Sequence, residues 1–378
     1  MKLPFVWATF LVFSAIQIAL PEKIQNIQDL QKLAEEGDSN AQCLLGLQEM
    51  IGGDLYDPRI IDTVTVEQIL LNKVEKWQDQ LRFLPSYESG SEFETGSKAN
   101  EAFKWIKKSA DQGNKVGLYC LARFYIEGIG VAKNREEAMK YLKKSAQLGY
   151  LKSYVMLGAG YSLYYNDEKQ SLDWLWQGFD QGDLDCRVEI GRRFLIGKGV
   201  AKNESKGFQL IEEAYQSGNK RAISALGLCY LDGLGTTKDP TRAFALFKEG
   251  SNASRHAKYL LGRMYLTGNG TEKDPQKGAA IVEEVAATGD HHATTYLGQM
   301  YANGWGVKVD QKKAISLYQE AAKAGNSEAM LELGKAYYAG SMVKGDKELA
   351  RSWLQKAKDR GNKQANELLK KIDAPNRN

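Results

Sequence analysis

The sequence predicts an all-α solenoid built from eight helical pairs. Two observations predict it. A small residue follows Leu or Ile at regular intervals along the chain, and between successive small residues there is usually a pair of glycines followed by a residue typical of a helix N-cap. From the second repeat onward the steps are 36, 33, 36, 35, 36 and 36 residues. A fixed period in this range indicates stacked supersecondary units. The small residues are Gly46, Ala122, Gly158, Gly191, Gly227, Gly262, Gly298 and Gly334.

The first helix of each pair contains the small residue. In repeat 6 it runs from His256 to Tyr265, where Ala257, Leu261 and Gly262 fall at helical spacing. A glycine inside a helix costs up to about 1 kcal/mol relative to alanine. Its recurrence therefore indicates that a neighbouring helix approaches closely at this position.

A glycine turn ends the first helix and an N-cap begins the second. Repeat 7 shows the pattern as Gly304-Trp305-Gly306, followed by Asp310. Glycines suit the left-handed backbone that ends a helix, and Asp is a favoured N-cap. The second helix then carries small residues, such as Ala321, and stops at Gly325-Asn326.

These motifs resemble a known repeat family. Leu-Gly-x-x-Tyr, Gly-x-Gly-Val, Lys-Ala and Ala-Ala-x-x-Gly-Asn, at a period near 36, are similar to the Sel-1-like repeat, a variant of the tetratricopeptide αα-hairpin. The resemblance covers residues 38 to 362 with one interruption. It implies a right-handed solenoid that acts as a protein-binding scaffold, and it implies bacterial envelope or secreted roles, including contact with host proteins in some members.

Both ends of the chain depart from the repeat. Residues 1–20 carry Lys2 and an apolar run without acidic residues, which is typical of a secretory signal. An uncleaved membrane anchor is the alternative. We expect an N-terminal capping helix in residues 21–37 and a C-terminal capping helix with a tail in residues 363–378, because the end repeats of a solenoid lack a neighbour.

One insertion interrupts the first repeat. Residues 54–98 separate its two helices and contain a predicted helix from Thr65 to Phe83, followed by a polar, acidic run. A long insertion in a compact repeat is usually functional or disordered. The other interpretation is a helix that packs on the N-terminal end beside an inert loop.

Composition excludes several classes of site. The formal net charge is +4, from 51 basic and 47 acidic residues, which gives no global signal for nucleic acid or membrane binding. The three histidines lack the ligand spacing of a zinc site, and no cofactor motif is present. The four cysteines fall in first helices and are interpreted as buried small hydrophobes, although a disulfide between repeats stays open.

No constellation of catalytic residues stands out. Ser217 and Lys220, like Ser341 and Lys344, form Ser-x-x-Lys but lack the Ser-Asp-Asn and Lys-Thr-Gly partners of penicillin-binding enzymes. We therefore predict a non-catalytic protein. A cell-wall-directed enzyme is the alternative from another class, and a periplasmic regulator that holds a sensor or membrane protein is the alternative among binding proteins.

A basic residue follows the small residue in every second repeat. By the resemblance, this position faces the concave groove of the solenoid. With nearby tyrosines it gives a hypothetical binding ladder: Tyr119, Arg123, Arg192, Tyr259, Arg263, Lys335 and Tyr338. Arg and Tyr are favoured interface anchors, and Arg clamps carboxylates. The hypothesis is a groove for an acidic peptide or domain; the alternative is pairing with acidic residues such as Glu189.

The combined prediction is an exported scaffold, periplasmic or secreted, that binds a protein partner through its concave face. It predicts no nucleic acid partner and no stable membrane span unless the signal segment is uncleaved.

Overall fold

A computed structural model describes residues 27–51 and 97–373. The predicted signal at 1–20 and almost all of the insertion at 54–98 lie outside the described residues. The described part forms two compact units, one comprising residues 27–51 and 97–134 and the other residues 135–373. Its regular elements are 18 α-helices, which confirms the predicted all-α repeat fold.

The first unit contains four helices. Neighbours along the chain pack together, and the second helix also contacts the fourth. Their bounds are α1 Ile27–Glu35, α2 Ser39–Ile51, α3 Ser97–Asp111 and α4 Lys115–Glu127.

The second unit contains fourteen helices in antiparallel pairs. Their bounds are α5 Arg135–Gln147, α6 Lys152–Tyr164, α7 Glu168–Asp180, α8 Leu184–Ile196, α9 Glu204–Gln216, α10 Ala222–Asp232, α11 Pro240–Gly250, α12 Arg255–Thr267, α13 Pro275–Ala286, α14 His291–Asn303, α15 Gln311–Lys323, α16 Ser327–Ala339, α17 Lys347–Asp359 and α18 Lys363–Asp373. We call α6, α8, α10, α12, α14 and α16 the first helices of their repeats. Successive first helices contact one another from α6 to α12, and the rings of Tyr259 on α12 and Tyr296 on α14 also meet, so these helices form one continuous layer.

The turns are closed by the residues that the sequence indicates. In repeat 7, Gly304 adopts φ 75° and its N–H donates to the carbonyl of Met300 at 2.8 Å. The N–H of Asp310 then donates to the carbonyl of Tyr301 at 2.9 Å, and the carboxylate of Asp310 accepts from the N–H of Lys313. These bonds satisfy backbone groups that helix ends leave unpaired. They fix the geometry of each helical pair.

A cation–aromatic contact recurs in the second unit. The basic side chain lies three residues after the N-cap and covers the aromatic ring three residues after the small residue. Distances from the cationic centre to the ring centroid run from 4.1 to 4.5 Å. Such contacts stabilise each pair modestly at exposed sites. The pairs are Lys206–Phe194, Arg242–Tyr230, Lys277–Tyr265 and Lys313–Tyr301.

Repeat 3 replaces the glycine turn with a shorter connection. Between α6 and α7 the chain uses Asn166 with φ 51°, the only non-glycine residue with positive φ among the described residues. Asn tolerates this left-handed conformation better than most residues. Asp167 follows as the N-cap and accepts from the N–H of Gln170 at 2.9 Å.

Candidate protein-binding surface

A cavity of about 240 Å³ opens on the layer of first helices in the second unit. Its lining comes from four consecutive repeats, through α6, α8, α10 and α12 and the residues that cap them. Because each of the four repeats contributes between one and four lining residues, the cavity depends on the stacking of the helices. It is therefore a property of the array and not of any single helical pair.

The acidic side chains of the cavity already have cationic partners. Asp185 accepts from Arg221 at 2.7 Å and from the amide of Asn219 at 2.9 Å. Glu189, the acidic partner considered from sequence, lies 3.5 Å from Nε of Arg193, which is buried, and not beside Arg192. These pairings leave the cavity with little free negative charge.

Arg192 supplies an uncompensated positive charge. Its side chain is exposed, and within the described part of the chain no carboxylate lies within 4.0 Å of its guanidinium. An exposed guanidinium presents several donors in a planar fork that matches a carboxylate. Arg192 can therefore bind an acidic group without first breaking an ion pair.

His256 lies on the other side of the same cavity, one residue into α12. The pKa of His256 is lower than its ordinary value. The main cause is partial desolvation by the surrounding helices, and the second is the positive charge of Arg192. The Oγ atoms of Ser224 and Ser254 lie 3.3 Å apart at the same cavity. The arrangement offers hydroxyl donors beside an imidazole that gains charge when an anion binds.

An aromatic group continues the surface toward α14. Tyr259 and Tyr296 make an edge contact with ring centroids 5.7 Å apart. The guanidinium of Arg263 covers both rings, at 5.8 Å from Tyr259 and 5.4 Å from Tyr296. Burial raises the pKa of Tyr259 to about 12, so it remains a neutral donor at neutral pH. Arg263 is exposed, and no carboxylate of the described residues lies within ion-pair distance of it.

The structure thus brings three of the predicted residues together in the second unit: Arg192 at the cavity, and Tyr259 with Arg263 beside it. We call the residues Asp185, Arg192, Arg221, His256, Tyr259 and Arg263 the first-helix surface.

The other predicted residues have different settings. In the first unit, Tyr119 is 2% and Arg123 6% exposed, and Arg123 pairs with Glu127 at 3.4 Å. Lys335 pairs with Glu332 at 2.8 Å on α16, and Tyr338 on the same helix is 43% exposed. Burial removes Arg123 and Tyr119 from direct contact with a partner, while Tyr338 remains accessible.

Sequence reasoning missed His256, Arg221 and Asp185 as lining residues. All three lie six residues before the small residue of their repeats. That position is seven residues, or about two helical turns, from the position just after the small residue, so the two positions lie on the same face of the helix. His292 and Glu328 occupy the same position in repeats 7 and 8. The repeat register, applied to this second position, is the signal that would have found them.

We also searched the described residues for metal-binding groups and for helices that could span a membrane. They hold no group of three or more His, Cys, Asp or Glu side chains placed to bind a metal ion. Among the helices of this part of the chain, none combines the length and the apolar character that crossing a membrane requires.

Comparison with known proteins identifies the repeat. A family model described as the Sel1 repeat matches residues 87–114, 116–150, 185–219, 220–254, 255–281, 291–326 and 327–362, which together make up more than half of the chain. The matched segments leave out most of repeat 3, where the glycine turn is missing. The cavity lies mainly in matched repeats.

Individual relatives are distant. An uncharacterized protein of Neisseria meningitidis serogroup B is 25% identical over 153 residues, which are 40% of this chain and 32% of that protein, so the chain spans about a third of its length. A crystal structure of a Sel1 repeat protein from Oxalobacter formigenes aligns with a TM-score of 0.46 and 24% identity, over 92% of this chain and 90% of that one. A protective antigen of uropathogenic Escherichia coli with the same repeat fold aligns with a TM-score of 0.40 and 23% identity, over 92% and 82%.

Proposed function

The chain belongs to the Sel1 repeat family, and we propose that it is an exported, non-catalytic scaffold that holds an acidic segment of a protein partner on the first-helix surface. Proteins built from this repeat typically mediate protein–protein interaction, and scaffolds of this kind are generally non-catalytic. The acidic nature of the partner and the export are the parts of the proposal that go beyond the family.

One observation carries the choice of an acidic partner. The acidic groups at the cavity are neutralised by Arg221 and Arg193, whereas Arg192 has no carboxylate of the described residues within ion-pair distance. A surface with unpaired positive charge attracts a negative segment and aligns it during association. Arg263, held over two tyrosine rings, extends the same charge along the layer.

A charge-reversal experiment tests the proposal. The tagged full chain is used to capture partners from envelope and host-cell extracts, beside the double variant Arg192→Glu with Arg263→Glu. The matched control is Lys312→Glu, an exposed basic residue of the second helix α15. We expect the partner to be lost from the double variant and kept by the control. A partner that the double variant retains contradicts the proposed surface.

Export is tested separately. The support for it is the apolar run of residues 1–20 behind Lys2. We expect the chain, expressed with these residues, to reach the periplasm or the medium, and N-terminal sequencing to report whether they are removed. A chain that stays in the cytoplasm contradicts the export, and leaves the binding proposal standing.

A further inference from the structure

Two large apolar side chains project from the first helices at the same register. Leu163 of α6 is 74% exposed and Ile196 of α8 is 68% exposed, and each lies five residues after the small residue of its repeat. The next three repeats carry polar residues there, namely Asp232, Thr267 and Asn303. Among repeats 3 to 7, the apolar residue is therefore confined to repeats 3 and 4, the first two of the four repeats that line the cavity.

The two side chains lie on neighbouring helix ends. The ammonium of Lys198, which follows the end of α8, donates to Oγ of Ser162 at 2.7 Å, and Ser162 precedes Leu163 on α6. Tyr165 adds a further ring that is 46% exposed at the end of α6. We call Leu163, Tyr165 and Ile196 the apolar patch. Exposed apolar side chains that lie singly need no explanation, whereas a contiguous patch commonly marks an interaction site.

The apolar patch is continuous with the positive charge of the cavity. Arg192 and Ile196 are four residues apart on α8, so their Cα atoms differ by about 6 Å along the helix axis. An extended chain advances about 3.3 Å per residue, and two residues of such a chain span about the same distance. A carboxylate at Arg192 and an apolar side chain at Ile196 can thus come from positions i and i+2 of one extended segment.

We propose that the partner segment is recognised at two points: an acidic side chain binds between Arg192 and His256, and an apolar side chain two positions away packs on Ile196 and Leu163. This rests on the proposed function and names the chemistry of its partner, an extended acidic-x-apolar segment. Side chains at i and i+2 of an extended segment point to the same side, so both can face α8.

Charge complementarity favours this occupant over a polyanion. At the cavity, Arg192 offers a single guanidinium without a carboxylate partner among the described residues, which matches one carboxylate and not the closely spaced phosphates of a nucleic acid. The apolar patch offers such a ligand nothing to bind. A segment with a single carboxylate and a neighbouring apolar side chain uses both features.

A peptide library tests the proposal. A random twelve-residue library is displayed on phage and selected on the immobilised full chain. The enriched peptides are synthesised with a fluorescent label, and their affinities are measured by fluorescence polarisation. We expect enrichment of Asp or Glu followed two positions later by Leu, Ile, Val or Phe. Replacing the acidic residue by its amide should weaken binding at least about tenfold, the size expected for a charge-assisted hydrogen bond.

Variants taken from other repeats of the same chain locate the two contacts. Arg192→Leu introduces the residue that repeat 5 has at this position, Leu228, and should weaken binding at least about tenfold. Ile196→Thr introduces the residue of repeat 6, Thr267, and should weaken it by about three- to tenfold. Lys312→Glu, on a second helix, should leave affinity unchanged. Circular dichroism checks that each variant folds.

The outcomes separate the inference from the proposed function. Enriched peptides without the acidic-x-apolar pattern, or with affinities that Arg192→Leu and Ile196→Thr leave unchanged, overturn the inference. If such peptides still compete with the captured partner, binding on this surface stands and only the two-point recognition fails. Failure to enrich any peptide also overturns the inference, and the proposed function falls with it if the extracts yield no partner.

Discussion

The guanidinium of Arg193 donates hydrogen bonds to Oε2 of Glu168 at 2.5 Å and to Oγ of Ser171 at 2.8 Å. Arg193 is 2% exposed, so the pair is nearly shielded from solvent on one side. Ser171 in turn donates to the carbonyl of Gly158, and Glu168 accepts from Ser162 at 2.7 Å. This network joins α6 and α7, the helices of the repeat whose glycine turn is missing, to α8 of the next repeat.

Removing the buried guanidinium should destabilise the second unit. We expect Arg193→Met to lower the free energy of unfolding by about 3 kcal/mol, because it leaves the partly buried carboxylate of Glu168 without its buried cationic partner. Urea denaturation followed by circular dichroism measures the change. The neighbouring Arg192→Leu is the control, since its exposed side chain should change stability by no more than about 0.5 kcal/mol. Equal losses for the two variants would contradict the assigned role.

The same pair predicts a pH dependence. Partial burial opposes ionisation of Glu168, yet hydrogen bonds from Ser162 and Arg193 and the charge of Lys198 lower its pKa below the ordinary value. A lowered pKa in the folded state stabilises the protein above the unfolded pKa, and this contribution is lost as pH falls through the folded pKa. We expect melting temperature to fall on acidification below about pH 4.5, the ordinary carboxyl value, more steeply in the wild type than in Glu168→Gln. If the melting temperatures of the wild type and of Glu168→Gln fall in parallel with pH, the role assigned to the Glu168 carboxylate is wrong.

The periodicity of the sequence predicted the helical pairs, their caps and their turns, because these depend on residues close in the chain. It could not predict the second role of the turn glycines. A Cβ on Gly306 would collide with the carbonyl of Pro275, and one on Gly270 with the carbonyl of Pro240. Each glycine thus admits the start of the preceding repeat's second helix. Such a contact between repeats is invisible in the spacing of one repeat.

The sequence predicted only some residues of the candidate surface, again because contacts between repeats are not visible in the motif of one repeat. The position after the small residue is exposed in Arg192 and Arg263 but buried in Arg123, although the local sequences are alike. Exposure at this register is decided by neighbouring repeats, which the motif does not describe. The partnership of Glu189 with Arg193, one residue beyond the predicted cation, is likewise a matter of helix rotation and packing.

The helical glycines should not tolerate a methyl group. A Cβ on Gly191 would lie 2.7 Å from Cγ1 of Ile211 and 2.9 Å from the carbonyl oxygen of Gly207. We therefore expect Gly191→Ala to destabilise the fold by about 2 kcal/mol, as overpacking outweighs the gain in helix propensity. Gly345→Ala is the control, because its Cβ would meet atoms only at 3.5 Å or beyond. Thermal unfolding compares the two, and a stabilised Gly191→Ala variant would refute close helix packing there.

The cysteine thiols should be inert in the folded protein. Cys43, Cys120, Cys186 and Cys229 are all free and fully buried. Burial raises the pKa of Cys229 to about 12 and also raises those of Cys43 and Cys186, so the reactive thiolate is scarce. We expect a thiol reagent at pH 8 to label none of the four in the native chain and all four in guanidinium chloride. Rapid native labelling, or fewer than four thiols after unfolding, would contradict the structure.

Binding of an acidic segment should tighten as pH falls. The pKa of His256 is lowered by partial desolvation and by Arg192, with smaller effects of the same sign from His292 and Arg263 and an opposing effect from Asp290. His256 is thus mostly neutral in the free protein at pH 7. A carboxylate bound beside it would raise its pKa, so binding takes up a proton.

The dependence of peptide affinity on pH should have a definite sign and an upper limit. Between pH 7.5 and pH 6, affinity for an acidic peptide should rise, by at most about tenfold per pH unit for one proton, and it should fall again once the peptide carboxylate is protonated near about pH 4. Fluorescence polarisation at fixed ionic strength measures it. His256→Gln should flatten the profile, whereas His292→Gln, which removes a histidine bonded to Asn326 at 3.2 Å, should keep most of the slope. If His256→Gln and the wild type share one profile, protonation of His256 has no part in binding, and Arg192 alone must hold the acidic group.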